Sequence, residues 1–288
     1  MLALAAALET PACGAFGPEF LAEINAARAR ARLQSLTLSA ELCRAAQARA
    51  QEIGAQGNLD RAVIPGQDLL ERAERGGYRA SALSQLVVQA GGDPAAVVDA
   101  WRLRDDSAWK DILSPRHRDL GVGAAWLDGV PLYVLFFGVS NADAFASRTR
   151  GLRDPARVRA ELLASVNRER KKKKLPPLRA NPALEATAQR HANDMRARGY
   201  YGHASPEGTL VLRRVRRAGY EAERVGENIA KGQGSVEEAM DGWMRSREHR
   251  ENILDPFFVD AGFGVALGKM PEGDQVLWVQ VFGRPHGR

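Results

Sequence analysis

Two cysteines in 288 residues are too few for a fold built on disulfides, and they leave two readings for Cys13 and Cys43. Either both are free thiols, or one bridge ties the N-terminal tail to a helix in an oxidising compartment. Aromatic residues make up only 7% of the chain and are not interleaved with its basic residues, so a nucleic-acid partner is not expected. No apolar run approaches the length of a membrane span. The apolar start, Met1 to Leu8, is far shorter and has no basic flank; it reads as the end of a signal peptide that begins upstream. Ala12-Cys13-Gly14 faintly matches a lipoprotein cleavage site, with Thr10 and Pro11 set against it. A helical His-Glu-x-x-His and a Gly-x-Ser-x-Gly elbow are both missing, so neither common hydrolase signature is available.

What the chain does have is length, positive charge and an internal repeat. At roughly 150 residues per domain, 288 residues suggest two domains. The net charge of +6 comes mainly from arginines spread along helices, with one dense run at Arg170 to Lys174. Such a run is a solvated loop or, less commonly, a contact for an anionic envelope polymer. A shift of 142 residues superposes Asn167 on Asn25, Arg170 on Arg28, Gln189 on Gln47, Tyr220 on Tyr78 and Trp243 on Trp101. One deletion later the shift is 141, and Asp260, Gly262 and Gly264 fall on Asp119, Gly121 and Gly123. Agreement over that length means two tandem copies of one domain. The expected organisation is a tail at 1–17, a first copy at 18–139, a polar, arginine-rich linker at 140–154 and a second copy at 155–288.

Local signals predict the elements of the second copy. Asp154-Pro155 opens a helix through about Arg170, and Asn181-Pro182 opens another that ends near Gly199. Ser235 with Glu238 forms a capping box, and the helix that follows carries Ala239, Gly242, Ser246 and His249 on one stripe, with His249 near its C-terminus. The copy closes on two β-rich runs, Gly262–Leu267 and Gln275–Phe282, joined through Pro271 to Asp274. In the last run Val276, Trp278 and Phe282 face one way, and Leu277, Val279 and Val281 the other. A sheet apolar on both faces needs helices on both. The fold class is therefore α+β, two tandem three-layer α-β-α sandwiches.

The side chains suited to chemistry lie between Gly202 and Pro256. His203 precedes Ser205-Pro206-Glu207-Gly208, Glu227 sits in Gly226-Glu227-Asn228-Ile229-Ala230, and His249 lies in Trp243 to Leu254. Two imidazoles and a carboxylate suffice for zinc with an open water position, although their spacing carries no metal signature of its own. Ser205 could be imagined as a nucleophile beside His203, but Ser-Pro is commoner as turn chemistry. Asn228, Arg250 and Asn252 read as residues that pin loops, and Gly208 and Gly226 as turn glycines. In the first copy His203 falls on Arg61, Glu227 on Gln85, Asn228 on Leu86 and His249 on Ala108, while His117 falls opposite Phe258. The first copy thus keeps the framework without the site, and these residues are not needed to build the fold.

From Glu161 to Gly283 these motifs, in this order, resemble the CAP (SCP-like) superfamily in its bacterial form. The resemblance implies the same α-β-α sandwich and one cleft lined by His203, Glu227 and His249, with Ser246, Asn228 and Ser205 nearby. Ser246 stands where eukaryotic members usually carry a second glutamate, which weakens any two-carboxylate mechanism. It also implies a secreted or envelope-associated protein, extracellular or periplasmic, that binds Zn²⁺ or another divalent cation, a small or lipid-like ligand, or both. Two alternatives stay open: a metal-assisted peptidase using His203, Glu227 and His249, and a purely structural module of the cell envelope.

Overall fold

The computed structural model describes residues 13–59 and 66–287. The apolar start Met1 to Leu8, Ala12 and Arg61 lie outside those residues. The chain divides into two units, residues 1–144 and 145–288. The first contains α1 (Phe16–Arg30), β1 (Thr37–Leu38), α2 (Ala40–Gln56), α3 (Gly66–Arg75), β2 (Ala80–Gln89), α4 (Pro94–Arg104), α5 (Asp106–Ile112), β3 (Asp119–Leu127) and β4 (Val130–Ser140). After α6 (Asn141–Arg148) and a 3₁₀ turn at Arg150–Leu152 come α7 (Pro155–Lys172), β5 (Arg179–Ala180), α8 (Pro182–Arg198), α9 (Val211–Arg217) and β6 (Ala222–Lys231). The chain then closes with α10 (Val236–Arg245), α11 (Arg247–Leu254), β7 (Asp260–Met270) and β8 (Gly273–Pro285).

Both sheets have one topology: β1-β3-β4-β2 in the first unit and β5-β7-β8-β6 in the second. The short strand is parallel to its neighbour and the other pairs are antiparallel. Strand β8 is buried on both faces, as its sequence predicts. Val276, Trp278 and Phe282 join a core with α7 and α10, while Leu277, Val279 and Val281 join another with α8 and α9. Gly262 and Gly264 let β7 lie against α8, since a Cβ on either would come within 2.5 Å of the backbone of Leu184 or Ala188.

The repeat recurs in most of its framework hydrogen bonds. Arg170, fully buried, donates Nε to Pro176 O and Nη1 to Ile253 O and Asp255 O. Arg28 makes the same bonds to Gln34, Ile112 and Ser114. Asn167 exchanges a pair of hydrogen bonds with Leu178, as Asn25 does with Leu36. Tyr220 donates to Asp260, as Tyr78 does to Asp119. His117 stacks on Phe137 where Phe258 stacks on Phe282, so His117 fills an aromatic position in the first core.

The predicted caps form at Asp154 and Asn181, and Gly199 ends α8 in the left-handed region at φ 67°. Two expectations change, and one alternative left open is decided. The stretch expected as a polar linker holds α6 and the 3₁₀ turn, whose Phe145 and Leu152 pack into the second core. The helix expected to run through Ser246 breaks there: Ser246 is extended (φ −80°, ψ 129°), and α11 starts afresh at Arg247. His249 therefore lies in the first turn of α11, off the stripe of α10, while Arg250 Nη1 reaches back to Met244 O, a carbonyl the break leaves open. Finally, Cys13 and Cys43 are bridged, so neither is a free thiol and the bridged Cys13 sulfur has no valence left for a lipid.

Candidate functional site

Gly226, expected in a turn, and Asn228, expected to pin a loop, lie with Glu227 in β6, at the edge of the second sheet. Gly226 is required by close approach: a Cβ there would come within 2.9 Å of Asn252 Oδ1 and the Phe258 ring. Glu227 pairs in register with Val281 and Asn228 with Gln280, so the two side chains leave the strand on opposite faces. This alternation builds the site.

On the α8–α9 face the Glu227 side chain is 2% exposed, and both of its oxygens are engaged. Oε1 accepts from His203 Nδ1 at 2.9 Å, and Oε2 from Arg214 Nη2 at 2.6 Å. Arg214 Nη1 also donates to His203 O and Thr209 O, so one guanidinium fixes both the carboxylate and the loop that carries its histidine. The buried His191 ring donates Nε2 to Gly202 O at 3.0 Å and stands 4.0 Å from Glu227 Oε1. On the opposite face Asn228, fully buried, donates Nδ2 to His249 O and to Gln280 Oε1, and accepts from Asn252. The two histidines are thus delivered to the edge of β6 from opposite faces of the sheet.

Their electrostatics differ. The hydrogen bond to Glu227 raises His203 above the ordinary histidine value against the effect of burial, and that bond uses Nδ1, not Nε2. Burial, with the charge of His203 adding to it, lowers His249, so the two rings sense one another. His191 is lowered, chiefly by burial. Among the described residues no group of three or more His, Cys, Asp and Glu could hold a metal ion. A carboxylate that accepts a hydrogen bond from the Nδ1–H of a histidine, however, is the usual support behind a histidine that ligates through Nε2. With Arg214 on its other oxygen, both oxygens of Glu227 are engaged within the protein.

Ser205 does not approach an imidazole as a nucleophile would. Its hydroxyl donates to Glu207 Oε2 and accepts from Thr209 N, which is turn chemistry, with Gly208 at φ 74° closing the turn. Ser246 contributes the helix break, and its side chain caps neither helix. Asn252 bonds Asn228 and Glu227 O, clamping α11 to β6. Sequence reasoning passed over His191 and Arg214. Both lie on buried helical stripes, His191 beside Ala188 and Met195, and Arg214 beside Val211 and Val215; a charged or titratable residue on such a stripe was the available signal. In the first unit the matching places hold Arg49 and Arg72, both turned to Glu52.

The model of the cysteine-rich secretory protein family (CAP) matches residues 21–132 and 163–282, once in each unit. The uncharacterized protein YkwD of Bacillus subtilis is 36% identical over 147 residues, 50% of this chain and 55% of that protein. The uncharacterized membrane protein YlbC of the same organism is 28% identical over 105 residues, 36% of this chain and 30% of that one. The chain therefore spans about half the length of the first of these relatives and less of the second. Among solved structures, an extracellular protein containing an SCP domain from Bacillus anthracis matches at TM-score 0.40 and 23% identity, over 54% of this chain and 52% of that one. An outer surface protein from Borrelia burgdorferi matches at TM-score 0.39 and 21% identity, over 44% and 91%.

Proposed function

The chain belongs to the cysteine-rich secretory protein family in both of its units, and from that premise we propose that the second unit is an extracellular or envelope-associated binding module whose cleft lies between His203 and His249. The observation that carries this reading is the hydrogen bond from His203 Nδ1 to the buried Glu227, which leaves Nε2 outside that bond, with His249 near enough for the charge of His203 to act on it. A divalent cation such as Zn²⁺ would be held by His203 and His249, with Glu227 orienting the first and solvent or a small ligand completing the set. When bound, the metal would supply a Lewis-acidic anchor for an anionic or carbonyl group. The Cys13–Cys43 bridge supports an oxidising compartment, and no described helix is long and apolar enough to cross a membrane.

Binding is favoured over peptidase action because both Glu227 oxygens are occupied, one by a guanidinium, so no free carboxylate stands ready as a general base. Zinc calorimetry on the full chain tests the reading. Micromolar binding is expected at neutral pH, lost in His203→Ala and His249→Ala and weakened about 10–100-fold in Glu227→Gln, the loss typical of a supporting partner. If the wild-type chain takes up no zinc, the metal reading fails and a small or lipid-like ligand is left to be sought by capture. If Glu227→Gln abolishes binding outright, Glu227 is itself a ligand.

A further inference from the structure

Two cavities occupy corresponding places in the two units. In the second, about 320 Å³ opens between α8 and α9, where Arg190, Arg198, Arg214 and Arg217 face Asp194 and Glu207. In the first, about 460 Å³ opens between α2 and α3, where Arg44, Arg72 and Arg75 face Glu52. The 142-residue shift lays Arg214 on Arg72, Arg217 on Arg75 and Asp194 on Glu52. Among the described residues, each cavity is thus lined by two more arginines than carboxylates, and neither by any lysine.

Part of this charge is structural. Arg214 holds Glu227, Arg72 holds Glu52, and Arg198 is paired with Glu207. The last arginine of each short helix is different. Arg217 and Arg75 are exposed and have no carboxylate partner among the described residues. Arg190 uses only its Nε, on the carbonyl of Ala186. The first unit has replaced Glu227 by Gln85 and His249 by Ala108, yet it keeps both arginines of the pair. Packing accounts for the first arginine of each pair and leaves the second without a structural task in either unit.

We propose that each unit binds a phosphate-bearing anion in this cavity, with Arg217 and Arg75 as the principal contacts. A guanidinium presents a planar fork of donors that matches phosphate oxygens two at a time, and a cavity of this size admits one phosphate group with its neighbouring atoms. The phosphate could belong to a soluble or polymeric ester or to a lipid headgroup. Leu70 and Leu212, 42% and 38% exposed at matching positions on α3 and α9, place apolar surface on the same helices.

The test is titration of the full chain with inorganic phosphate, at ionic strength held constant with chloride and followed by two-dimensional NMR. Two sites per chain are expected. Arg217→Gln should weaken one about tenfold, Arg75→Gln the other, and the double variant both, as expected when each site is deprived of one charge-assisted hydrogen-bond donor group. Both positions are exposed and carry no ion pair among the described residues, so folding should survive, as melting curves would verify. Arg104→Gln and Arg245→Gln change the net charge equally elsewhere and should leave both sites intact. Phosphate binding no tighter than chloride, or equal weakening by the control pair, overturns the proposal. Phosphatidylglycerol against phosphatidylcholine vesicles then assigns the source: sedimentation with the anionic vesicles alone, lost in Leu70→Ser/Leu212→Ser, marks a headgroup, and its absence beside intact phosphate binding marks a soluble ester.

Discussion

Glu227 is a buried carboxylate held by one permanent and one titratable cation, and acid acts on these two partners in different ways. The His203 value is raised in the folded state, so its bond to Glu227 contributes stability in full below the ordinary histidine range. That contribution is lost as pH rises through the raised folded value. His191 and His249 are lowered by burial, and each therefore withdraws stability as pH falls below the ordinary histidine value. NMR titration of the ring protons should find His203 above His249, and Glu227→Gln should bring the His203 value down. Arg214 Nη2 lies 2.6 Å from Glu227 Oε2, so Arg214 cannot be replaced cheaply. Its side chain is 12% exposed beside the 2% of Glu227, and Arg214→Met should cost about 3 kcal/mol in urea denaturation, because it leaves a buried carboxylate short of its partner.

The helices of the second unit were largely legible because their starts are chemically marked, by Asp154-Pro155, Asn181-Pro182 and Ser235 with Glu238. The Ser235 hydroxyl accepts from Glu238 N while the Glu238 carboxylate reaches back to Gly234 N. Ser235→Ala should cost about 1 kcal/mol of stability, whereas Ser246→Ala, at a junction where the side chain caps nothing, should change stability by less than about 0.5 kcal/mol. That contrast also explains the misplaced His249. A serine with no capping bond leaves no mark, and residues 236–254 keep a helical pattern across the break. Strand β6 was hidden for another reason. Its buried positions include Glu227 and Asn228, which are satisfied by partners distant in sequence, so the strand shows no alternation of apolar and polar residues. The glycines of β7 were legible as a repeated pair without their reason. Gly264→Ala would press a methyl into the α8 backbone and should cost at least about 2 kcal/mol, read as a lowered denaturation midpoint.

Each unit carries its own two cores, but only the first carries a bridge. Closing a loop over a sequence separation of 30, that bridge should contribute about 3–4 kcal/mol to the first unit. In calorimetry, Cys13→Ser with Cys43→Ser should lower the transition of the first unit and leave that of the second in place; an equal fall in both would show that the units unfold together. The difference between the copies was readable in the sequence because they control for one another: what they share is framework, and what only the second has is the His203, Glu227 and His249 set.

The shared framework also has a consequence for how the chain folds. Arg28 and Arg170 ask for the same carbonyls, and so do Asn25 and Asn167. While the chain is still collapsing, α7 offers the first sheet nearly everything that α1 does. The two cores supply the discrimination. Phe20 meets Tyr133 edge-on at 5.1 Å in the first unit, where Leu162 and Trp278 share the corresponding core in the second. Exchanging partners would set Leu162 against Tyr133, leaving a gap where Phe20 packs, and crowd Phe20 against Trp278. Side-chain volume thus acts as a sorting code between otherwise interchangeable halves, and Phe20→Leu should raise the yield of kinetically trapped, cross-paired chains on refolding well beyond what its loss of stability explains.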